Sequence, residues 1–238
     1  MPTIPIPLVG PTYTNRSLPV SAQVTSNFYV EVNHGGDETV SLQPFPGLKP
    51  FAVAGTGKNR GLGVRDGVLY TVSGTELYSI SSLGASTLIG TIPGLNRCKL
   101  VDDSANNLVI TNGQGKPFSY DGSTLIQGTD SDLPNASTVA YINDRVIYES
   151  STGLSFSDLN APLTVNSANV LKANTKVDNT LAVAALDQQV FTFGSKSIEP
   201  AYFVGSGTPP YSRVNNAVKS VGTIAKHSVS TNNNFIYF

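Results

Sequence analysis

The chain has 238 residues and a formal net charge of −1 at pH 7, and 13% of its residues are charged. Low charge, together with short runs of Val, Ile, Leu, Tyr and Phe, excludes a disordered chain and favours β-sheet with many turns. A charge near zero gives no signature of a protein that grips nucleic acid on its own, and a single cysteine, Cys98, excludes an intrachain disulfide.

Residues 1–50 are rich in proline, at positions 2, 5, 7, 11, 19, 44, 46 and 50. Proline removes backbone donors and fixes an extended conformation, so this part is predicted to be an extended N-terminal arm that pairs through sheet edges, with a short strand in SNFYVEVN. The first residues lack the features of a secretory signal, and no stretch is apolar enough for a membrane span. We expect a soluble protein made in a cytoplasm, without membrane insertion.

Residues 51–238 repeat one short pattern, a polar pair followed by a strand-forming run. Aligned on Asp66, Asn106, Asp144, Asp187 and about Asn232, the copies lie 40, 38, 43 and 45 residues apart. A period near 40 residues is typical of the four-stranded blades of a β-propeller. Strands are predicted at 60–64, 68–72, 76–81, 87–92, 97–102, 107–112, 116–121, 123–128, 137–143, 145–150, 153–159, 180–186, 189–194, 197–203 and 211–214, with a weak fourth strand in the third unit.

The second strand of each unit is the most continuously apolar, which is expected where a strand is covered on both faces. A single blade cannot bury both faces, so stacked blades supply the core. The predicted fold is therefore an all-β propeller of four blades plus part of a fifth over 51–238, the fifth beginning at VGTIAKHSV and ending at FIYF. A β-sandwich with frequent turns is the alternative.

Four and a half blades do not close a ring. Either the sequence is the front part of a longer propeller, which we favour, or another chain or the N-terminal arm completes the last sheet.

Motifs that could carry chemistry are weak. The glycine-rich stretch before Lys58 departs from a phosphate loop, because Ala52 and Asn59 stand where glycine and Ser or Thr are needed. The clusters VDDSANN and GTDSDLP are predicted to be turns, not calcium loops, because neither keeps the calcium-loop pattern.

The remaining candidate side chains also favour structural interpretations. His34 and His227 are the only histidines, which excludes a multi-histidine zinc site. Cys98 is predicted to be a small buried apolar residue, and Lys58, Arg60 and Arg65 are interpreted as scattered, solvated surface cations. We predict no catalytic residue, no cofactor-binding residue and no metal ligand.

Six segments in order resemble the packaged-DNA stabilisation proteins of short-tailed bacteriophages, also called tail accessory or tail hub proteins. They are SAQVTSNFYVEVN, PFPGLKPF, RGLGVRDGVLYTVSGTELYSI, STVAYINDRVIYESSTGLSFSDLNAP, VFTFGSKSIEPAYF and PPYSRVNNAVKSVGTIAKHSV. The resemblance runs from about Ser21 to Phe238, and family members usually continue further.

The resemblance implies a structural protein of the virion tail, not an enzyme. Such proteins form a ring, typically a hexamer, below the portal and adaptor. The ring retains packaged DNA, lets double-stranded DNA pass without sequence specificity, and supports the tail needle and tailspikes or fibres. Two alternatives stay open: a carbohydrate-binding or glycan-degrading β-propeller, suggested by the fold and by STGLSFSDL, and a cellular protein-interaction propeller.

Overall fold

The computed structural model describes residues 28–32, 40–105, 107–151, 153–172, 178–205, 207–232 and 234–238. The regular elements among these residues are all β-strands. The chain divides into two compact units, residues 1–50 and 51–238. In the first unit, β1 (Phe28–Val32) pairs antiparallel with β2 (Val40–Pro44). The rest of the predicted arm, residues 1–27 and 33–39, lies outside the described residues.

The second unit contains four antiparallel sheets of four strands, and strands adjacent in sequence are neighbours in each sheet. In chain order these strands are β3 (Asn59–Arg65), β4 (Val68–Ser73), β5 (Glu76–Ile80), β6 (Ser86–Thr91), β7 (Lys99–Asp102), β8 (Leu108–Thr111), β9 (Phe118–Tyr120), β10 (Leu125–Gln127), β11 (Val139–Ile142), β12 (Arg145–Ser150), β13 (Gly153–Asp158), β14 (Ala161–Lys172), β15 (Thr180–Leu186), β16 (Gln189–Gly194), β17 (Ile198–Phe203) and β18 (Tyr211–Arg213). A two-stranded sheet of β19 (Ser230–Asn232) and β20 (Phe235–Tyr237) follows. The all-β prediction is confirmed.

The polar pairs between the first two strands of a sheet form the predicted tight reversals. Asp66 and Asp187 have φ angles of 49° and 48°, and Asn143 and Asp144 have φ angles of 52° and 57°. Such left-handed conformations suit Asn, Asp and Gly, which explains why these residue types recur. In the second sheet the reversal between β7 and β8 is longer, and its Asn106 lies outside the described residues.

Of two further predicted elements, one is confirmed and the other is wrong. The weak fourth strand predicted for the third repeat is present as the 12-residue β14, which pairs with β13 through register shifts between Ser155 and Asp158. The predicted fifth blade begins at 221–229, but this segment forms a loop, and strand pairing in that region starts only at β19. The physical reason is a backbone attachment to the fourth sheet, because the amide of Thr223 donates to the carbonyl of Gly194 at 2.9 Å.

The core of the second unit lies between sheets. On β8, Leu108 and Ile110 pack with Val72 of the first sheet, whereas the intervening Val109 packs with Tyr148 of the third sheet. Successive side chains of a strand point to opposite faces, so one buried strand contributes to two neighbouring cores. The prediction that stacked sheets supply the core is confirmed.

The same alternation joins the third and fourth sheets. Ile147 of β12 packs with Phe156 and Val183, while its neighbours in sequence pack towards the second sheet. The rings of Phe156 and Tyr211 stack between the two sheets with centroids 4.8 Å apart and planes 10° apart. The amide of Asn143 donates to the Tyr211 hydroxyl at 2.9 Å, so a buried hydroxyl keeps a partner.

Consecutive sheets contact one another through their first strands, in the order β3, β7, β11, β15 and β19. Glycine makes the closest of these approaches possible. A Cβ atom on Gly61 would lie 2.5 Å from the carbonyl oxygen of Cys98, and one on Gly63 would lie 2.6 Å from Cβ of Leu100. On the opposite face of β3, Leu62 and Val64 are each 57% exposed among the described residues.

Candidate functional site

The acidic clusters suggested by the sequence are turns, as predicted. The Asp103 carboxylate accepts hydrogen bonds from the backbone amides of Ala105 and Asn107, at 2.9 and 2.7 Å, and from the Asn107 side chain at 2.7 Å. Asp130 accepts from the amides of Asp132 and Val165, each at 2.9 Å. The hydrogen bond from Val165, followed by that from Asp132, lowers the pKa of Asp130. The carboxylate oxygens of Asp103 and Asp130 therefore accept hydrogen bonds from their own chain, and both side chains have a structural role.

The STGLSFSDL segment, which suggested the glycan alternative, is mostly buried in β13. Ser157 is 1% exposed; its hydroxyl accepts from the amide of Val146 at 2.9 Å and donates to the carbonyl of Asp158 at 2.9 Å. Ser155 is also buried. The Ser157 hydroxyl therefore links β13 to β12, which is a structural role.

The glycine-rich stretch before Lys58 is a close-packed loop. The Gly74 amide donates to the Lys58 carbonyl at 2.9 Å, and a Cβ atom on Gly57 would lie 2.3 Å from Cα of Gly74. Residue 57 must be glycine because its backbone packs directly against the turn between β4 and β5. This close contact explains the glycine, and no bound phosphate is needed to explain it.

Two of the three cations assigned to the surface are buried, which corrects the sequence interpretation. Arg60 is 6% exposed and Arg65 is 7% exposed. The Arg65 guanidinium donates to the carbonyl of Asp121 at 3.2 Å, lies 3.3 Å from the Asp66 carboxylate, and sits 5.9 Å from the centre of the Tyr120 ring. Each arginine is buried because partners for its guanidinium come from other strands and loops, and sequence spacing does not show them.

Arg60 has backbone carbonyls as its partners. Its guanidinium donates to the carbonyls of Gly74 at 2.8 Å, Ile92 at 2.9 Å, Pro93 at 3.3 Å and Asn96 at 2.6 Å. These carbonyls belong to the β4–β5 turn and to the connection between the first and second sheets. Arg60 therefore fixes the path of the chain from one sheet to the next.

A polar network connects the third sheet, the fourth sheet and the loop that precedes β19. Glu149 accepts from the amides of Ser137 and Thr138, at 2.9 and 3.3 Å, and Lys226 donates to the Ser137 hydroxyl at 2.9 Å. The Val183 amide donates to the Thr138 hydroxyl at 3.2 Å. Burial raises the pKa of Glu149, and the two backbone hydrogen bonds partly oppose that rise.

Cys98 and the histidines complete the set of sequence candidates. Cys98 is buried as predicted, and burial raises the pKa of its thiol, which does not favour a reactive thiolate. His34 lies outside the described residues, and His227 is half-buried in the loop before β19. Within the described ranges, no group of three or more His, Cys, Asp or Glu side chains could hold a metal ion.

The first strands of the second to fourth sheets, together with β19, line a small cavity of about 160 Å³, with walls that include Val101, Tyr141 and Val183. Pockets for small organic ligands are larger, roughly 300–1,000 Å³. Burial, followed by a hydrogen bond to Asp144, raises the pKa of Tyr141 to about 12, so this phenol stays protonated near neutral pH. In the part of the chain that the structure describes, no helix is long and apolar enough to cross a membrane.

Comparison with solved structures finds remote similarities. The chain is 9% identical to the computationally designed Ika4 protein (TM-score 0.48; 65% of this chain, 98% of that one). It is 11% identical to virginiamycin B lyase from Staphylococcus aureus (TM-score 0.48; 88% and 83%). It is also 11% identical to PorZ from Porphyromonas gingivalis, of which it spans 23% (TM-score 0.46; 69% of this chain). No curated protein matches the chain.

A family model described as "Bacteriophage P22 Gp10, beta-propeller" matches residues 3–238. The match covers nearly the whole chain, including every four-stranded sheet of the second unit, and it confirms the propeller prediction. It also agrees with the resemblance carried by the six sequence segments. The chain therefore belongs to the bacteriophage family of P22 Gp10, β-propeller structural proteins that stabilise packaged DNA.

Proposed function

We propose that this protein forms a ring in the phage tail, below the portal and adaptor, that keeps packaged DNA inside the particle. The family match over residues 3–238 carries the proposal. The stacked sheets support it, because a propeller is a rigid scaffold whose loops and edges can contact several neighbours at once. A hexamer is the proposed stoichiometry, and the tail needle and tailspikes or fibres are the proposed neighbours. The subunit is assembled in the host cytoplasm and remains in the virion tail.

In this proposal DNA is retained by a narrow bore and a plug, not by tight binding. Each phosphate neutralised by a protein cation adds affinity and therefore friction for a sliding duplex. A formal net charge of −1 suits a surface past which double-stranded DNA moves without sequence specificity.

We assign different tasks to the two parts of the chain. Residues 1–50 act as an extended arm that contacts a neighbouring subunit, and residues 51–238 form the propeller body. A catalytic function is not part of the proposal. The occupied carboxylates of the acidic turns support this assignment, since Asp103 and Asp130 already accept hydrogen bonds from their own chain.

Particles assembled without this protein test the proposal. They are expected to package DNA and then lose it, measured as genome accessible to added nuclease. Supplying the protein from a plasmid during assembly should restore nuclease resistance and serves as the control. Full nuclease resistance of particles that lack the protein would contradict the proposal.

A further inference from the structure

A cavity of about 320 Å³ lies where β3 and β7 begin, next to the loop that precedes β19. Its lining includes Arg97, Lys99 and His227, with Asn59 and Gly61 on the side of β3. Lys99 also lines the 160 Å³ cavity between the first strands of the sheets, so the two cavities adjoin at this residue. Three nitrogen-bearing side chains from segments far apart in sequence therefore meet around one space.

Among the described residues, the cations around this cavity have no acidic partner. No described carboxylate lies within ion-pair distance of Arg97, Lys99 or His227. Within the same described ranges the Lys99 ammonium donates no hydrogen bond, although the residue is only partly exposed. A half-buried charge with no partner is costly, and an anion from solution relieves that cost.

The pKa of His227 agrees with an excess of positive charge around the cavity. Burial lowers the pKa of His227 first, and the charges of Lys226, Arg97 and Lys99 lower it further. Burial lowers the pKa of Lys99 as well. Repulsion between cations is therefore part of the cause for His227, whereas partial burial is the cause for Lys99.

The backbone that carries these side chains is firmly held. The Arg60 guanidinium donates to the carbonyl of Asn96, directly before Arg97, at 2.6 Å, and the Cys98 amide donates to the Arg60 carbonyl at 2.7 Å. Next to His227, the Ser228 amide donates to the Ala225 carbonyl at 2.9 Å. The donors therefore face a preformed cavity, which lowers the entropic cost of binding.

We propose that Arg97, Lys99 and His227 form a binding site for an oxyanion of the phosphate class, either free phosphate or a phosphodiester of nucleic acid. Arg97 and Lys99 supply positive charge and N–H donors, and His227 supplies a third donor and takes up a proton when the anion binds. A single site of this kind on a subunit binds weakly, with a dissociation constant on the order of 1 mM. The proposal does not depend on the position of the protein in the tail.

Histidine NMR on the full chain tests the site directly, because the chain contains only His34 and His227. Titration with inorganic phosphate should shift the imidazole signals of His227 in a saturable way and raise its pKa, and the His34 signals serve as the internal reference. An unchanged His227 signal and pKa at high phosphate would overturn the proposal.

Matched variants test which side chains bind. Lys99→Gln and Arg97→Gln should each weaken phosphate binding by about tenfold, because each removes a charged donor. Lys172→Gln removes an exposed cation on β14 and should bind like the wild type. Circular dichroism and thermal unfolding check that every variant is folded. Wild-type affinity in both folded cavity variants would rule the site out.

A second titration distinguishes the two sources of the anion. A short DNA duplex that shifts His227 at lower concentration than phosphate, with the shift lost in Lys99→Gln, assigns the site to a phosphodiester. A response to phosphate alone assigns it to the free anion. DNA binding that shifts His227 equally in the wild type and Lys99→Gln would contradict the proposed site. Nuclease sensitivity of particles is a separate readout, so failure here leaves the ring proposal standing.

Discussion

At the residue scale, buried polar side chains fix the conformation of the connections between sheets. Arg60 is the clearest example. Removing its guanidinium would remove one hydrogen bond from each of four backbone carbonyls, and among the described residues Pro93 alone would keep a strong second donor, the side chain of Asn112. The sequence does not reveal this role, because Arg60 stands among exposed residues and its partners lie up to 36 residues away. The Arg97, Lys99 and His227 cluster is hidden for the same reason, since only the fold brings these positions together.

We predict that Arg60→Met lowers the free energy of unfolding by about 2–4 kcal/mol, because the buried carbonyl of Ile92 and three partly buried carbonyls lose a charged donor. Lys58→Met is the matched control, since Lys58 is an exposed cation two residues away. Urea unfolding of the two variants measures the difference. Equal stability of the two would show that the carbonyls find other donors.

Asp178 gives a prediction for pH. Burial alone would raise its pKa, but hydrogen bonds from Ser195, Lys196 and Ser197 outweigh burial and lower the pKa to about 2. The ordinary value in an unfolded chain is about 3.9. Because the folded pKa is the lower one, the carboxylate stabilises the fold above about pH 4, and that contribution is lost as pH falls towards 2.

Unfolding of the wild type and Asp178→Asn between pH 6 and pH 2 checks this expectation. The wild type should be the more stable near neutral pH, by up to about 1 kcal/mol after solvent screening, and the gap should close as pH falls through the acid range. A gap of constant size across that range would mean that the charge of Asp178 does not contribute.

At the scale of the element, strand alternation decides what could be predicted. The recurring polar pair and apolar run identify the first two strands of each sheet, because turn geometry and two-sided burial restrict the residue types there. The fourth strand of the third sheet was predicted but its length was not, since the length of β14 depends on register shifts against β13. The loop at 221–229 escaped prediction because an attachment to the fourth sheet replaces the strand pairing that its apolar residues suggest.

The cores between sheets predict a sharp contrast between two leucines. Leu154 is fully buried between the third and fourth sheets, whereas Leu159 is 57% exposed in the turn that follows β13. Leu154→Ala should lower the free energy of unfolding by about 2–5 kcal/mol, through lost burial and the cavity left behind. Leu159→Ala should change it by less than about 0.5 kcal/mol. Similar losses in chemical denaturation would contradict a core located between the sheets.

The attachment of the 221–229 loop is tested at Gly222. A Cβ atom there would lie 2.3 Å from the carbonyl oxygen of Gly194 and 2.5 Å from the amide nitrogen of Lys196, both backbone atoms. Gly222→Ala should therefore lower the free energy of unfolding by about 2 kcal/mol or more. Gly47→Ala, where a Cβ would meet nothing within 4 Å, is the control. Unchanged thermal stability of Gly222→Ala would show that the loop is not fastened as described.

At the scale of the whole molecule, the second unit is a series of sheets, and adjacent sheets bury their apolar faces against one another. In the part of the chain that the structure describes, the two-stranded sheet of β19 and β20 and strand β3 of the first sheet both expose apolar side chains, including Phe235 and Leu62. The period of about 40 residues predicted this series, whereas ring order, stoichiometry and neighbours depend on contacts outside the chain and stay proposals.

The proposed arm function predicts a separable defect in assembly. Deleting residues 1–45 should prevent ring formation while the β-sheet signal in circular dichroism is retained, because the propeller body keeps its own cores. Size-exclusion chromatography with light scattering measures the assembly state. Rings of normal size from the truncated protein would contradict a role of the arm between subunits.

A cryo-electron microscopy map of the intact phage particle tests the central claim most directly. We expect density for the four-stranded sheets of this protein in a ring of the tail, next to the portal and adaptor and around the DNA exit path. A map in which every tail component is assigned and no copy of this protein occupies the tail would contradict the account.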